Sequence, residues 1–234
     1  KLLYSSDKSG IFNVYEVDLN NNQETQITDS EEESFFVRGY SPTTDEVIYS
    51  ADKGGNENSH VYLIRDEERI DLTPGENTRA SFFGWTNDEL GMYVQSNSRD
   101  PRFFDLYKIN IKTLDSEMIF KNDAAYDIND VSNNDDYLVL NLNISNTEQK
   151  LFLYEIETKQ LLEISNQITN YSGQNFNKND EKFFYTTNYD SEFYYLMSYN
   201  LSNGDRKVEY KTNWDVAFSY LSKNDSYRVI AVNE

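Results

Sequence analysis

Six short stretches of this chain recur at one spacing. Leu2-Leu3-Tyr4-Ser5-Ser6-Asp7 is matched by Val47-Ile48-Tyr49-Ser50-Ala51-Asp52 and by Met92-Tyr93-Val94-Gln95-Ser96-Asn97. Leu138 to Asn143, Phe183 to Asn188 and Val229 to Glu234 follow, with steps of 45, 45, 46, 45 and 46 residues. Each copy is a run of β-branched, aromatic or aliphatic residues that ends in Ser, Asn, Asp or Glu. Self-similarity at a fixed period signals a repeat architecture and fixes the fold before any single residue does.

Three further apolar runs fill each period. One comes 12 to 15 residues after the opener: Val14–Asp18, Val61–Arg65, Leu106–Asn110, Leu153–Glu157 and Leu196–Asn200. Apolar and polar residues alternate in most of them, the period of a strand with two different faces. A turn follows, such as Arg65-Asp66-Glu67-Glu68 or Ser202-Asn203-Gly204-Asp205, and then a shorter, polar-edged strand such as Ile70-Asp71-Leu72-Thr73. A fourth run leads into the next opener, with Tyr40, Trp85, Val131, Phe176 and Leu221 at equivalent places and an acidic turn after each. Four short antiparallel strands in roughly 45 residues is the size of a β-propeller blade. The expectation is an all-β propeller of four-stranded blades with strands A to D, the opener being B. Short, polar D strands protect the outer edge. No stretch holds the 3.6-residue period of a helix.

The repeat runs without a linker, so residues 1–234 are expected to be one propeller domain with no internal boundary. Residues 1–29 supply B, C and D of a first blade, four whole blades follow, and residues 213–234 supply A and B of another. The final B strand competes with Leu2–Asp7 for one place in a closed ring. That favours an arc of a six- to eight-bladed propeller, with about five blades present, over a closed five-bladed ring.

Charge narrows the partners. With 41 acidic and 21 basic residues the net charge is −20. That argues against nucleic acid, which is held chiefly by basic patches, and against anionic membrane surfaces. No apolar run approaches the roughly 20 residues that span a bilayer. There is no Cys, hence no disulfide and no thiol nucleophile. The compartment, cytoplasmic or periplasmic, is left open. The 19 Tyr and 14 Phe suit half-buried strand faces. With three Pro and nine Gly, the turns must lean on Asn, Asp and Ser.

The A–B junction Tyr40-Ser41-Pro42 with Val47-Ile48-Tyr49-Ser50 resembles the TolB-type repeat, W-S-P-D-G followed by an I-A-F-x-S strand. The other blades depart from it by losing the Pro and Gly. Two B–C loops are more specific: Lys53-Gly54-Gly55-Asn56-Glu57-Asn58 before Val61, and Asn97-Ser98-Arg99-Asp100-Pro101-Arg102-Phe103-Phe104 before Asp105. With Asp71-Leu72-Thr73-Pro74-Gly75 between them, they resemble the N-terminal propeller of prolyl oligopeptidase family serine peptidases, in particular the bacterial acylaminoacyl-peptidase-like branch. The resemblance covers the whole chain as a repeat and residues 45–110 as a pattern. It implies a propeller that caps an α/β-hydrolase domain of the same parent chain and filters peptide substrates by size. The catalytic Ser, Asp and His would belong to that domain.

The residues themselves supply no catalytic site. The one imidazole is His60, at a strand start, and no G-x-S-x-G elbow occurs. Asp135-Asp136 and Asp180-Glu181 read as turn formers, and adjacent strand residues point to opposite faces. Asp52–Asn58 gathers oxygen ligands but does not match the calcium-loop pattern. No metal, cofactor or phosphate motif is present. Arg99 and Arg102 have two readings. In the plainer one, an Arg–Asp pair pins the B–C hairpin. In the functional one a guanidinium, with Asn56 and Asn58 of the neighbouring loop, faces the hydrolase domain or a substrate carboxylate. Two other functions compete with the gate: a TolB-like interaction scaffold without an enzyme, and a propeller enzyme with a channel site. Arg38, Asp127, Asp130 and Asp215 on the A strands are too scattered to favour the last.

Overall fold

The computed structural model describes every residue from Lys1 to Glu234. The chain is all β, with 21 strands in six antiparallel sheets. The first sheet has β1 (Leu2–Ser6), β2 (Asn13–Val17) and β3 (Glu24–Gln26). The second has β4 (Phe35–Tyr40), β5 (Val47–Ala51), β6 (His60–Arg65) and β7 (Glu68–Asp71). The third has β8 (Ala80–Trp85), β9 (Gly91–Ser96), β10 (Asp105–Asn110) and β11 (Ser116–Phe120). The fourth has β12 (Asp127–Val131), β13 (Tyr137–Ser145), β14 (Glu148–Glu155) and β15 (Gln160–Glu163). The fifth has β16 (Tyr171–Phe176), β17 (Lys182–Thr187), β18 (Tyr195–Asn200) and β19 (Arg206–Tyr210), and the sixth β20 (Asp215–Leu221) and β21 (Arg228–Asn233). Strands follow sequence order across every sheet, the meander of propeller blades that the repeat predicts. The chain forms two compact units, Lys1–Asn122 and Asp123–Glu234. The division falls between whole sheets, in the link from β11 to β12.

In the four-stranded sheets the second strand is largely apolar and buried because both its faces are covered. All five residues of β5 are buried. Val47, Tyr49 and Ala51 pack with Val14 of the first sheet, while Ile48 packs with Met92 and Val94 of the third. The same parity recurs in the second unit. Phe183 and Tyr185 of β17 pack with Val139, Leu151 and Leu153, and Phe184 packs with Val216 of β20. Continuous apolar runs are the mark of strands sandwiched between two layers.

The first strands of the other five sheets, β4, β8, β12, β16 and β20, break register with their partners, whereas β1 does not. The shifts lie at Val37/Gly39, Phe82/Gly84, Ile128/Asp130, Gly173/Phe176 and Val216/Phe218. A β-bulge leaves a residue unpaired and bends the strand. Here the bend recurs once per repeat.

The turn after the first strand has its own side-chain logic. Ser132 Oγ accepts the Tyr137 N–H at 2.8 Å, Asn177 Oδ1 accepts that of Lys182 at 2.8 Å, and Ser222 Oγ accepts that of Tyr227 at 3.0 Å. Three residues on, Asp135, Asp180 and Asp225 take φ of 61°, 53° and 58°. Asp is among the few residues that tolerate this left-handed region. The acidic turns of the sequence are therefore conformational, and two of them also join sheets. Asp180 accepts the backbone N–H groups of Asn133 and Asn134, each at 2.9 Å, and the Asn133 side-chain amide at 2.8 Å. Asp225 accepts the Lys178 N–H at 2.8 Å.

The fourth sheet departs from the pattern. Residues 144–152, expected to lie outside the strands, extend β13 and β14 into a long hairpin around Asn146-Thr147. Its outer part is exposed, so no core periodicity announces it.

Candidate functional site

The four residues singled out by sequence lie in two loops of the first unit, each joining the second strand of a sheet to the third. Both loops therefore project from equivalent ends of their sheets. In the loop before β6, Gly54 and Gly55 have φ of 63° and 77° and bend the chain back. Asn56 Oδ1 accepts the Asn58 N–H at 3.0 Å, and Asp52 accepts the Glu57 N–H at 3.0 Å. These side chains close an Asx turn.

In the loop before β10, Arg99 makes a fork onto Asp105, Nε to Oδ2 at 2.6 Å and Nη2 to Oδ1 at 2.8 Å. Asp105 is fully buried, and its Oδ1 also accepts the Asn122 N–H at 2.7 Å. Arg99 Nη2 adds a bond to the Asn122 carbonyl at 3.0 Å. Arg99 is thus the countercharge of a buried carboxylate that ties the start of β10 to the segment leaving β11. Arg102 is 74% exposed and forks onto Asp100, at 3.0 Å and 2.7 Å. Its guanidinium holds the Asp100 carboxyl well below the usual carboxylate range. The geometry of Arg99 matches the pinning reading, while Arg102 presents a charge to solvent. The bonds described here stay within each loop's own sheet.

His60 finds its place in a recurring anchor. It is the first residue of β6, and its Nδ1 lies 2.7 Å from Asp71 Oδ2 at the end of β7. The first residues of β2 and β10 do the same work. Asn13 bonds the Thr28 hydroxyl at 2.9 Å and the Ser30 N–H at 2.8 Å, and Asp105 bonds Asn122. In all three sheets the head of the next-to-last strand holds the end of the last strand or the chain that leaves it. The His–Asp pair is therefore an architectural anchor.

Sequence reading passed over a concavity of this unit. A cavity of about 1030 Å³ opens beside the link from β3 to β4. Asp29, Glu31, Glu32, Glu33 and Glu67 rim it, and Phe35 and Tyr49 contribute apolar wall. Arg69 stacks its guanidinium 3.8 Å from the Tyr62 ring centroid and 4.9 Å from that of Phe35, and its Nη1 meets Glu33 at 3.1 Å. The link is stiffened by Asn13 and by the Ser30 hydroxyl, which accepts the Glu33 N–H at 2.9 Å. Burial pushes the Tyr49 hydroxyl up, so it stays neutral. Such a groove attracts positive charge at its rim. The signal available in sequence was the run Glu31-Glu32-Glu33, separated from Phe35-Phe36 by Ser34 alone.

No family model matches the chain. It is 31% identical over 122 residues to dipeptidyl aminopeptidase BIII of Pseudoxanthomonas mexicana, a match spanning 49% of this chain and 17% of that protein. Among solved structures it resembles TolB of Acinetobacter baumannii, with TM-score 0.54 and 13% identity over 94% of this chain and 59% of that one. It also resembles a prolyl endopeptidase, one of two studied for the role of inter-domain dynamics in catalysis and specificity. There the TM-score is 0.67 and the identity 13%, over 90% of this chain and 35% of that one. At these identities the structural likeness is one of fold, and the neighbours are propellers of the TolB and prolyl oligopeptidase kinds.

Proposed function

We propose that this chain is the propeller that caps an α/β-hydrolase domain of a prolyl oligopeptidase-type serine peptidase and gates peptide access to it. The observation that carries the reading is the 31% identity to a dipeptidyl aminopeptidase over half the chain. Two features of the first unit support it. The loops bearing Asn56, Asn58, Arg99 and Arg102 share one end of consecutive sheets, as a surface facing another domain requires. Arg102 offers that surface a charge on a loop stiffened by the buried Arg99–Asp105 pair. In this reading the propeller supplies no nucleophile. It excludes large substrates and helps to keep the reacting site dry.

The test uses the protein as its gene encodes it. A fluorophosphonate probe should label a serine outside residues 1–234, and dipeptidyl anilides should be hydrolysed. Arg102→Ala should then change kcat/KM for long peptides by about threefold or more, while changing that for a dipeptidyl anilide little. A full-length product that takes up no probe would leave the other reading, a TolB-like propeller that binds partner proteins without an attached enzyme.

A further inference from the structure

The seam between the fourth and fifth sheets contains a polar arrangement that the gate does not use. The bulged strands β12 and β16 pack together there. Gly173 lets them approach: a Cβ at that position would lie 2.6 Å from Val139 Cγ1 and 2.9 Å from Asn129 Oδ1. Asp130 Oδ2 accepts the Phe176 N–H at 2.8 Å across the seam. Asp130 is half-buried. Two more side-chain oxygens, Asn129 Oδ1 and Asn175 Oδ1, are buried with no hydrogen-bond donor. The seam therefore leaves two buried acceptors beside Asp130 without a donor. Buried acceptors without donors are costly, and a buried carboxylate without a cation more so.

No cation answers them. β13 and β16 contribute no charged residue to the seam. The charged group that acts on Asp130 is Asp180, of the turn after β16, which is itself negative. We propose that this seam is a proton-sensitive joint, in which Asp130 holds a proton to keep the two first strands together and the joint loosens once that proton leaves. Burial, then the Asp180 charge, opposes ionisation more than the backbone N–H bonds of Phe176 and Val131 favour it, and the Asp130 carboxyl is pushed up to about 7.

The sign follows from linkage. An unfolded Asp titrates near 3.9, so between about pH 4 and 7 the folded seam binds more protons than the open one. Seam stability is greatest below that window and falls as pH rises through it. The proposal is independent of any attached enzyme.

Hydrogen exchange of the Phe176 amide, corrected for the intrinsic pH dependence, tests it on the full chain. Each pH unit below the folded pKa is a tenfold factor. From pH 5.5 to 8.5 the opening equilibrium should therefore rise by about tenfold to thirtyfold. Asp130→Asn, which keeps the acceptor and cannot ionise, should remove that dependence. In the unmutated protein the Asp130 carboxyl carbon should titrate above pH 6 by NMR. Titration below pH 5, or equal pH dependence in Asp130→Asn, would overturn the proposal. So would a transition that moves with added calcium or sodium, which would put a cation where the proton is placed.

Discussion

Arg99 shows how one residue can be found for one reason and kept for another. Its pattern, an Arg beside Asp and Pro in a loop, suggested either a pin or a ligand contact. In the structure its guanidinium forks onto a fully buried Asp105. Removing one member of such a pair leaves an uncompensated buried charge. Arg99→Ala should therefore lower the stability of the first unit by about 3 kcal/mol. Arg102→Ala, on an exposed pair, should change it by less than about 1 kcal/mol. Urea melts of the two variants check this, and equal losses would contradict the assignment. His60 was legible as a strand-start residue. Its kinship with Asn13 and Asp105 was not, because the three share a position and a partner segment but not a side-chain type.

At the scale of elements, the strands were legible and their irregularities were not. Alternation and apolar runs located all four strand types, since burial on one or two faces writes itself into the sequence. The bulges leave no such mark, because a bulged first strand keeps its apolar content and changes only its pairing. Turns fall between these cases. Asp66 and Glu67 form the two-residue turn between β6 and β7, with φ of 50° and 67°. Both central residues are thus in the region that Asn-Gly fills best. Replacing Asp66-Glu67 by Asn-Gly should stabilise the first unit by about 1 kcal/mol in thermal melts. Asp180→Gly relieves the same strain at φ 53° but removes the acceptor of three bonds to Asn133 and Asn134. It should destabilise the second unit. Were both changes stabilising, the Asp180 latch would be energetically idle.

For the molecule as a whole, the charge of −20 is the dominant fact outside the fold. Like charges repel in the compact state, and salt screens exposed charges over about 10 Å at 0.1 M. The melting temperature should rise between 0.05 and 0.5 M NaCl. A fall would mean that ion pairs such as Arg69–Glu33 and Lys150–Glu163 outweigh the repulsion. The acidic groove of the first unit adds a local counterpart to this global field.

By itself, the sequence determined the period, the strand order within each sheet and the all-β class. Those properties follow from hydrophobic spacing, which a chain carries regardless of what it packs against. The tertiary structure decided what the spacing leaves open. It assigned Arg99 to a buried carboxylate, made Asp180 and Asp225 clasps between sheets, gathered Glu31, Glu32 and Glu33 around one cavity, and enclosed Asp130 in a seam without a cation. Each of these depends on groups at least one turn or one repeat apart, and the charge or hydrogen-bond state of a side chain is set by neighbours that only folding supplies.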